Sequence, residues 1–495
     1  MRTVTDTDYK HVKQRCMTCM WLDKQSHHSV EEEPSLREEE GKLVKKLGRT
    51  HLGTGVFIHL GDDEKMSQET KEIMKDSAII YGGRLLVDGV TARYDALVLN
   101  DGAWDVYLIK GTKQVNEIYY HELALQCYIL NTLGYTVGRV HVMHLNTSYV
   151  RENTLNLDEL FSICDVTPNV QQVEKTVKSE IEQIKLTLKR ATEPHTSIGP
   201  YCLKAMGESV GAECKFKAQC FKGLPQPNIF DISGTYLKLD RKFELYAQGI
   251  ISFEALVDVT PLSNHAKIQI DCELNHRDII DKKKISTFLN TVSYPLYFLD
   301  FEAFNPSIPR FKGTTPYQQI AFQYSLHIKE TVKSELRHIE YLAKEGINPT
   351  REFAEKLIKD LNSQGSIVVY NKGFETSIIK KLAEMYPDLN TQLHALNTRV
   401  IDLMDVFRGK FYYQKEMQGS YSIKNVLPAL FPNHPELDYK QLKIKNGMMA
   451  MNIYPLLHLK SETEKEQIRN DLLAYCRLDT LAMVRILEHL EQSVV

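Results

Sequence analysis

The chain has 495 residues, 43% of them hydrophobic and 25% charged, with a formal net charge of −3. That length exceeds what one hydrophobic core serves, so two to four domains are expected, and no global basic field exists to gather nucleic acid. No apolar run reaches membrane-spanning length and the first ten residues are polar, so no membrane partner and no secretion signal are expected, and the cytoplasm is the default location. Nine unevenly spaced cysteines argue against a disulfide framework and for metal ligation or burial in a reducing compartment.

In chain order, residues 31–40 are acidic and read as a solvated loop or helix start. Residues 78–87 and 92–100 are expected as successive strands joined by a turn at Asp88 and Gly89, with a third strand at 104–109. A helix is expected over 117–133, ending at Gly134, then a strand over 137–145, which together make a small α/β unit. Residues 170–191 have near-helical apolar spacing. Residues 199–223 read as a loop and hold Cys202, Cys214 and Cys220. Residues 230–289 read as a mixed, mainly helical connector. From residue 294 a second α/β domain is expected, with strands near 297–301, 319–327 and 367–370 and helices near 350–362, 374–386 and 464–492. The boundaries are therefore 1–225, 226–292 and 293–495.

The chemistry concentrates in the third segment. Residues 294–304 read YPLYFLDFEAF, placing Asp300 and Glu302 two apart on a strand, where side chains two apart leave the same face. Residues 369–375 read VYNKGFE and end in Glu375, with Asn371 as a substrate-binding candidate or a turn residue. Residues 474–482 read AYCRLDTLA, with Tyr475 and Asp479 one helical turn apart. Each pair alone has a plain structural reading: a DxE caps many sheets, and a YxxxD on a helix is common. In series they are the parts for holding two divalent metals about 4 Å apart at a phosphodiester. Magnesium and manganese prefer oxygen donors. Asp300 would bridge both ions, Glu302 would hold one, Glu375 and Asp479 would complete the set, and Tyr475 would position the attacking water.

The order Asp-x-Glu, Asn-x-x-Phe-acid, Tyr-x-x-x-Asp resembles the DnaQ-like 3′–5′ exonucleases of the ribonuclease H-like fold, in the subclass that uses tyrosine. The histidine subclass would carry His five residues before the last Asp, where this chain has Ala474. The third acid is usually Asp, and Glu375 is one methylene longer, so its metal geometry differs.

Residues 94–112 (YDALVLNDGAWDVYLIKGT) and 121–130 (HELALQCYIL) resemble the core of a RecB-type nuclease of the PD-(D/E)xK superfamily, a restriction-endonuclease-like fold. Residue by residue, the resemblance puts Asp95 at the first acid, Lys110 at the lysine and Gln126 at the glutamine. Leu108 stands where the second acid belongs, and leucine ligates nothing. This site is expected to be degenerate, with Glu117 or Glu122 as an improbable rescue. Asp95 and Lys110 could also be ordinary strand residues. Cys16, in RCMTCMWL, followed far downstream by Cys202, Cys214 and Cys220, resembles the ligand set of iron–sulfur nucleases of the CRISPR-associated and AddB-like branches, implying a 4Fe–4S cluster. Zinc would also accept four thiolates. Cys19 is not in the resembling set, and Cys127, Cys164, Cys272 and Cys476 read as isolated, mostly buried small hydrophobes.

The whole order resembles a bacterial family of uncharacterised proteins that joins these parts, in the phrases at 294–302, 316–323 and 419–430 (GSYSIKNVLPAL). The resemblance implies a metal-dependent 3′–5′ exonuclease on single-stranded nucleic acid, with the N-terminal domain as a clamp. The competing expectation is a non-catalytic nucleic-acid-binding or scaffold protein with two decayed nuclease folds. Basic runs at 42–49, 282–284 and 440–445 read as solvated faces. Phe411, Tyr412 and Tyr413 read equally as base-stacking or core. No Walker-type loop is present, and no protein partner can be read from the sequence.

Overall fold

The computed structural model describes residues 3–26, 36–194, 198–206, 213–259, 261–362 and 364–495. Residues 31–35 of the acidic stretch and 207–212 of the cysteine-bearing loop lie outside the described residues. The protein is mixed α/β and divides into two compact units. The first comprises Met1–Gly223 and Pro306–Tyr317, and the second Leu224–Asn305 and Gln318–Val495.

In the first unit, short strands β1 (Val4–Thr5) and β2 (Val56–Phe57) precede β3 (Ile79–Tyr81), β4 (Arg84–Val87), β5 (Val90–Arg93), β6 (Ala96–Asn100), β7 (Ala103–Ile109), β8 (Val137–Leu145) and β9 (Phe161–Asp165). They form a six-stranded sheet, order β2-β3-β6-β7-β8-β9, and a three-stranded one, order β1-β5-β4. The two strands expected over 78–87 and 92–100 are each broken in the middle. The first breaks at Gly82, whose φ of +68° suits glycine, and Gly83; the second breaks at Tyr94 and Asp95. The Tyr94 N–H bonds to the Gly83 carbonyl at 2.7 Å, so the two breaks face each other and the outer halves join a different sheet. The helices Glu117–Thr132 and Thr167–Leu188 supply the apolar layer, with Leu123, Ala124, Val177 and Ile181 in one cluster with Leu97, Val106 and Leu108. Within this unit the buried Glu40 carboxylate accepts from the Ser307 N–H at 2.8 Å, the Ile308 N–H at 3.3 Å and the Arg310 guanidinium at 3.0 Å, and also from the Ser307 hydroxyl.

The second unit opens with residues 224–292. The expected connector has helices Leu239–Ala247, Asn264–Asn275 and Lys282–Leu289, and its own cluster around Ile229, Leu245, Phe253 and Leu256. Strand β10 (Ile279–Ile280) lies between the last two of these helices. The main sheet uses β11 (Leu296–Phe304), β12 (Ile320–Lys329), β13 (Arg337–Leu342), β14 (Ser366–Val369) and β15 (Val400–Asp402), in the order β13-β12-β11-β14-β15, and β16 (Tyr412–Tyr413) pairs with β10. β11 runs antiparallel to β12 and parallel to β14, which is parallel to β15. β13 and β15 were not anticipated. β13 has few fully buried side chains and so lacks a strong apolar signal, and β15 is three residues long. The last helix, Glu462–Val494, starts at a capping box, with the Ser461 side chain accepting from the Glu464 N–H and the Glu464 carboxylate accepting from the Ser461 N–H. Its buried positions Leu472, Tyr475, Cys476, Asp479, Met483, Ile486 and Leu490 recur every three or four residues, so one stripe faces the sheet. The Gln323 amide of β12 fixes the register by donating to the Leu472 carbonyl at 2.8 Å.

Candidate functional site

β11 lies at the centre of its sheet, and the period of a strand sorts its side chains. Leu299 and Phe301 are buried on one face, and Asp300 and Glu302 leave from the other. The last helix brings Asp479 to the same place. One carboxylate oxygen from each of Asp300, Glu302 and Asp479 lies within 4.8 Å of the others, the one such potential metal-ligand group among the described residues. Glu375, in the first turn of helix Gly373–Met385, joins them electrostatically. Its carboxyl is 2% exposed, and its Oε2 has no hydrogen-bond partner.

Four acids sharing one largely buried site cannot all ionise cheaply. Burial, then the charges of Asp479, Glu302 and Glu375, hold the Asp300 carboxyl well above its ordinary value. Glu302 is raised the same way, by burial and then by Asp479. Burial pushes Glu375 up to about 8. Burial pushes Asp479 up to about 6, although hydrogen bonding from Tyr439 and the charge of Lys424 oppose it. An all-oxygen donor set with an excess of negative charge and an orphaned buried oxygen fits magnesium or manganese.

The turn that aims Glu375 is held by a residue the sequence did not single out. Asp402, at the end of β15, accepts from the Asn371 N–H at 2.8 Å and the Lys372 N–H at 3.2 Å. Asn371 adopts φ +80°, a left-handed conformation that asparagine tolerates. Asn371 also lines a pocket of about 330 Å³ with Asp300, Glu302, Phe374, Glu375 and Met448. The other end of the site carries two more residues that sequence reading missed. The Tyr439 hydroxyl donates to Asp479 Oδ1 at 2.6 Å, and its ring lies 6.0 Å from that of Tyr475, the phenol expected to position water. Lys424 is near enough to lower both Glu302 and Asp479. Tyr439 sits in a short 3-10 turn with no periodic signal, whereas Lys424 lies inside the quoted phrase at 419–430. Cys476, expected to be a plain hydrophobe, donates from Sγ to Asp300 Oδ2 at 3.4 Å. Two of the three aromatics are core: Tyr412 and Tyr413 are 3% and 1% exposed, with the buried Lys410 ammonium 3.4 Å from the Tyr413 ring centroid, while Phe411 is half-buried.

In the first unit, Asp95 and Lys110 meet, but each carboxylate nearby is engaged by lysine. Asp95 accepts from Lys45 at 2.5 Å and from the Ile109 N–H at 3.0 Å. Burial alone raises Asp95, yet Lys45 and Lys110 together carry it below its ordinary value. The Lys110 ammonium is paired with both oxygens of Glu122, at 2.9 and 3.0 Å. Leu108 is 1% exposed and belongs to the apolar cluster. Gln126 donates to the Arg93 carbonyl at 2.8 Å, and its buried Oε1 has no partner.

Cys16, Cys202, Cys214 and Cys220 gather, and all six pairs among them are close enough to interact electrostatically. Cys16 caps helix Met17–Gln25 and its sulfur accepts from the Cys19 N–H at 3.3 Å. Cys19 enters the group as well. Its sulfur is 3.3 Å from that of Cys214 and 3.1 Å from Nε2 of His11. The hydrogen bond between Cys19 and Cys214 draws Cys214 down to about 6 and pushes Cys19 up. Cys127 and Cys272 are buried, while Cys164 is half-buried, its sulfur 3.6 Å from His144.

The family match takes in the main sheet from Tyr297, with Asp300, Glu302 and Glu375, and stops before Tyr475 and Asp479. Residues 297–422 match the family described as Domain of unknown function (DUF2779). The chain is similar to three bacterial proteins whose names carry no activity. It is 29% identical over 235 residues to the uncharacterised protein UU173 of Ureaplasma parvum serovar 3, covering 43% of this chain and 33% of that one. It is 26% identical over 230 residues to the uncharacterised protein MG366 of Mycoplasma genitalium, covering 43% and 34%. It is 26% identical over 205 residues to the MG366 homolog of Mycoplasma pneumoniae, covering 38% and 31%. The chain thus spans about a third of the length of the curated relatives it matches. No solved structure matches it. No helix among the described residues is long and apolar enough to cross a membrane.

Proposed function

We propose that the second unit is a metal-dependent 3′–5′ exonuclease that hydrolyses phosphodiester bonds in single-stranded DNA or RNA. The observation that carries this reading is the convergence of Asp300, Glu302 and Asp479 within 4.8 Å, with the orphaned Glu375 Oε2 beside them. The strand order of the main sheet, with the acids on its central strand, supports the ribonuclease H-like reading. Magnesium or manganese, when bound, supplies an activated water and neutralises charge at the phosphorus. Asp300, Glu302, Glu375 and Asp479 would hold it, and Tyr475 would orient the attacking water. The pocket beside the acids, lined by Asn371, Phe374 and Met448 among others, is where a terminal nucleotide would sit.

The test is stepwise shortening of a labelled single strand with a free 3′ end, in Mg²⁺ or Mn²⁺, by wild type and by Asp300→Ala and Asp479→Ala. Loss in both variants is expected. Equal behaviour of all three, after contaminating nuclease is excluded, returns the non-catalytic binding or scaffold reading.

For the first unit we infer a clamp on nucleic acid without chemistry of its own. The specific support is Lys45 on Asp95: an ammonium takes the carboxylate that a metal would need. For the cysteines we infer a 4Fe–4S cluster on Cys16, Cys202, Cys214 and Cys220. Zinc, which also accepts four thiolates, is the alternative occupant of the same four sulfurs.

A further inference from the structure

Lys424 stands out as a cation facing an acidic site. It lies in the first turn of helix Ile423–Leu430 and is exposed. Its ammonium lies 5.5 Å from the ring centroids of both Tyr439 and Tyr475 and donates to the Lys445 carbonyl at 3.0 Å. A lysine ammonium has three N–H donors. With one on Lys445, two remain for a ligand in front of the phenols. The two rings and the carbonyl hold a normally floppy side chain in one place, beside the two phenols that border Asp479.

The charge count says what that ligand is. Two divalent cations would balance the four carboxylates and leave the site neutral. A phosphodiester then brings one negative charge, and its transition state brings more. The acids repel that charge and the Tyr439 hydroxyl is already given to Asp479, whereas the Lys424 ammonium offers a full positive charge.

We propose that Lys424 is a further catalytic residue whose ammonium donates to a non-bridging oxygen of the scissile phosphodiester, steadied by the faces of Tyr439 and Tyr475. This rests on the exonuclease reading for its substrate. It assigns a task to the phrase at 419–430, which the four acids and Tyr475 leave unused. Such a donor is worth more in the transition state than in the bound substrate, because the charge on those oxygens grows. The effect should therefore fall on kcat more than on KM.

The experiment uses the full chain as wild type, Lys424→Met and Lys424→Arg, with two readouts. The first is kcat and KM on a 3′-labelled single-stranded oligonucleotide in Mn²⁺. Lys424→Met should lose about 10²-fold in kcat, the loss seen on removing one transition-state donor, and Lys424→Arg should recover most of it. The second is Mn²⁺ affinity by spin-resonance titration without substrate. Lys424→Met should bind Mn²⁺ as tightly as wild type or more tightly, because a competing cation has gone. Full kcat in Lys424→Met would overturn the assignment and leave the exonuclease reading standing. Weaker Mn²⁺ binding by Lys424→Met would also overturn it, since Lys424 would then merely support the metal site. Wild type that binds Mn²⁺ but cleaves nothing would sink the exonuclease reading, and with it the substrate named here.

Discussion

Replacing Asp300 with Asn should make the metal-free protein more stable while abolishing what the metal adds. Asp300 is half-buried beside Glu302, Glu375 and Asp479, and among the described residues it has no ammonium or guanidinium in hydrogen-bond range, only the Cys476 thiol. An uncompensated buried charge costs about 3 kcal/mol or more. The amide keeps the shape and the acceptor toward Cys476, so most of that cost should be relieved. For a unit of this size about 3 kcal/mol corresponds to roughly 6–12 °C in melting temperature. The assay is thermal unfolding of both proteins in EDTA and in a Mn²⁺ series. In EDTA the variant should melt higher. At a Mn²⁺ concentration of 100 Kd the wild type should gain about 2.7 kcal/mol and the variant little, so the gap should close and then invert at higher metal. A variant that melts below wild type in EDTA, or gains as much from Mn²⁺, would refute the view of this cluster as an electrostatic load awaiting a divalent cation.

Four further outcomes follow from the same geometry. In EDTA, wild-type stability should fall with rising pH: Glu375 is raised from 4.5 to about 8 and Asp479 from 3.8 to about 6, so the folded state holds protons that the unfolded state releases. That contribution is fully present below about pH 4 and lost as pH climbs through 6 and 8, and Asp300→Asn should flatten the dependence only by the share of Asp300's own raised carboxyl. Tyr475→Phe should slow turnover at saturating substrate while Mn²⁺ affinity stays within about twofold, since only water positioning is removed. Asp95→Ala and Lys110→Ala should leave metal-dependent cleavage unchanged, and a large fall in kcat with the fold intact would show chemistry in the first unit. Protein prepared without oxygen should carry about four irons per chain; Cys16→Ser should lose them and Cys19→Ser should retain them, and the reverse pattern of iron content would make Cys19 the ligand.

The elements with strong periodicity were legible from sequence. The last helix and the strand bearing Asp300 and Glu302 stand within a few residues of their expected positions, because an apolar stripe or run is a direct image of burial. What could not be read depends on long-range partners. Glycine and a facing break split each of two expected strands, and the halves enter different sheets. Tyr439 and Asp402 carry no local pattern, and their importance lies in hydrogen bonds across 40 and 31 positions of sequence. Likewise Lys45 stands in a basic run that reads as a solvated face, and its role comes from Asp95, 50 positions away.

The assignment of residues 306–317 to the first unit has a practical bearing on dissection. The backbone passes from one unit to the other three times, after residues 223, 305 and 317. No single cut therefore yields either unit whole. A fragment starting at residue 224 would keep those twelve residues but lose Glu40, which gathers Ser307, Ile308 and Arg310. It would have to close an untethered connection directly after the strand that bears Asp300 and Glu302. Closing such a loop costs entropy that grows only slowly with length, but the unanchored end begins just two positions past the ladder residue Phe304. Splicing 305 to 318 with a short flexible bridge, rather than plain truncation, is the rational design for an isolated second unit.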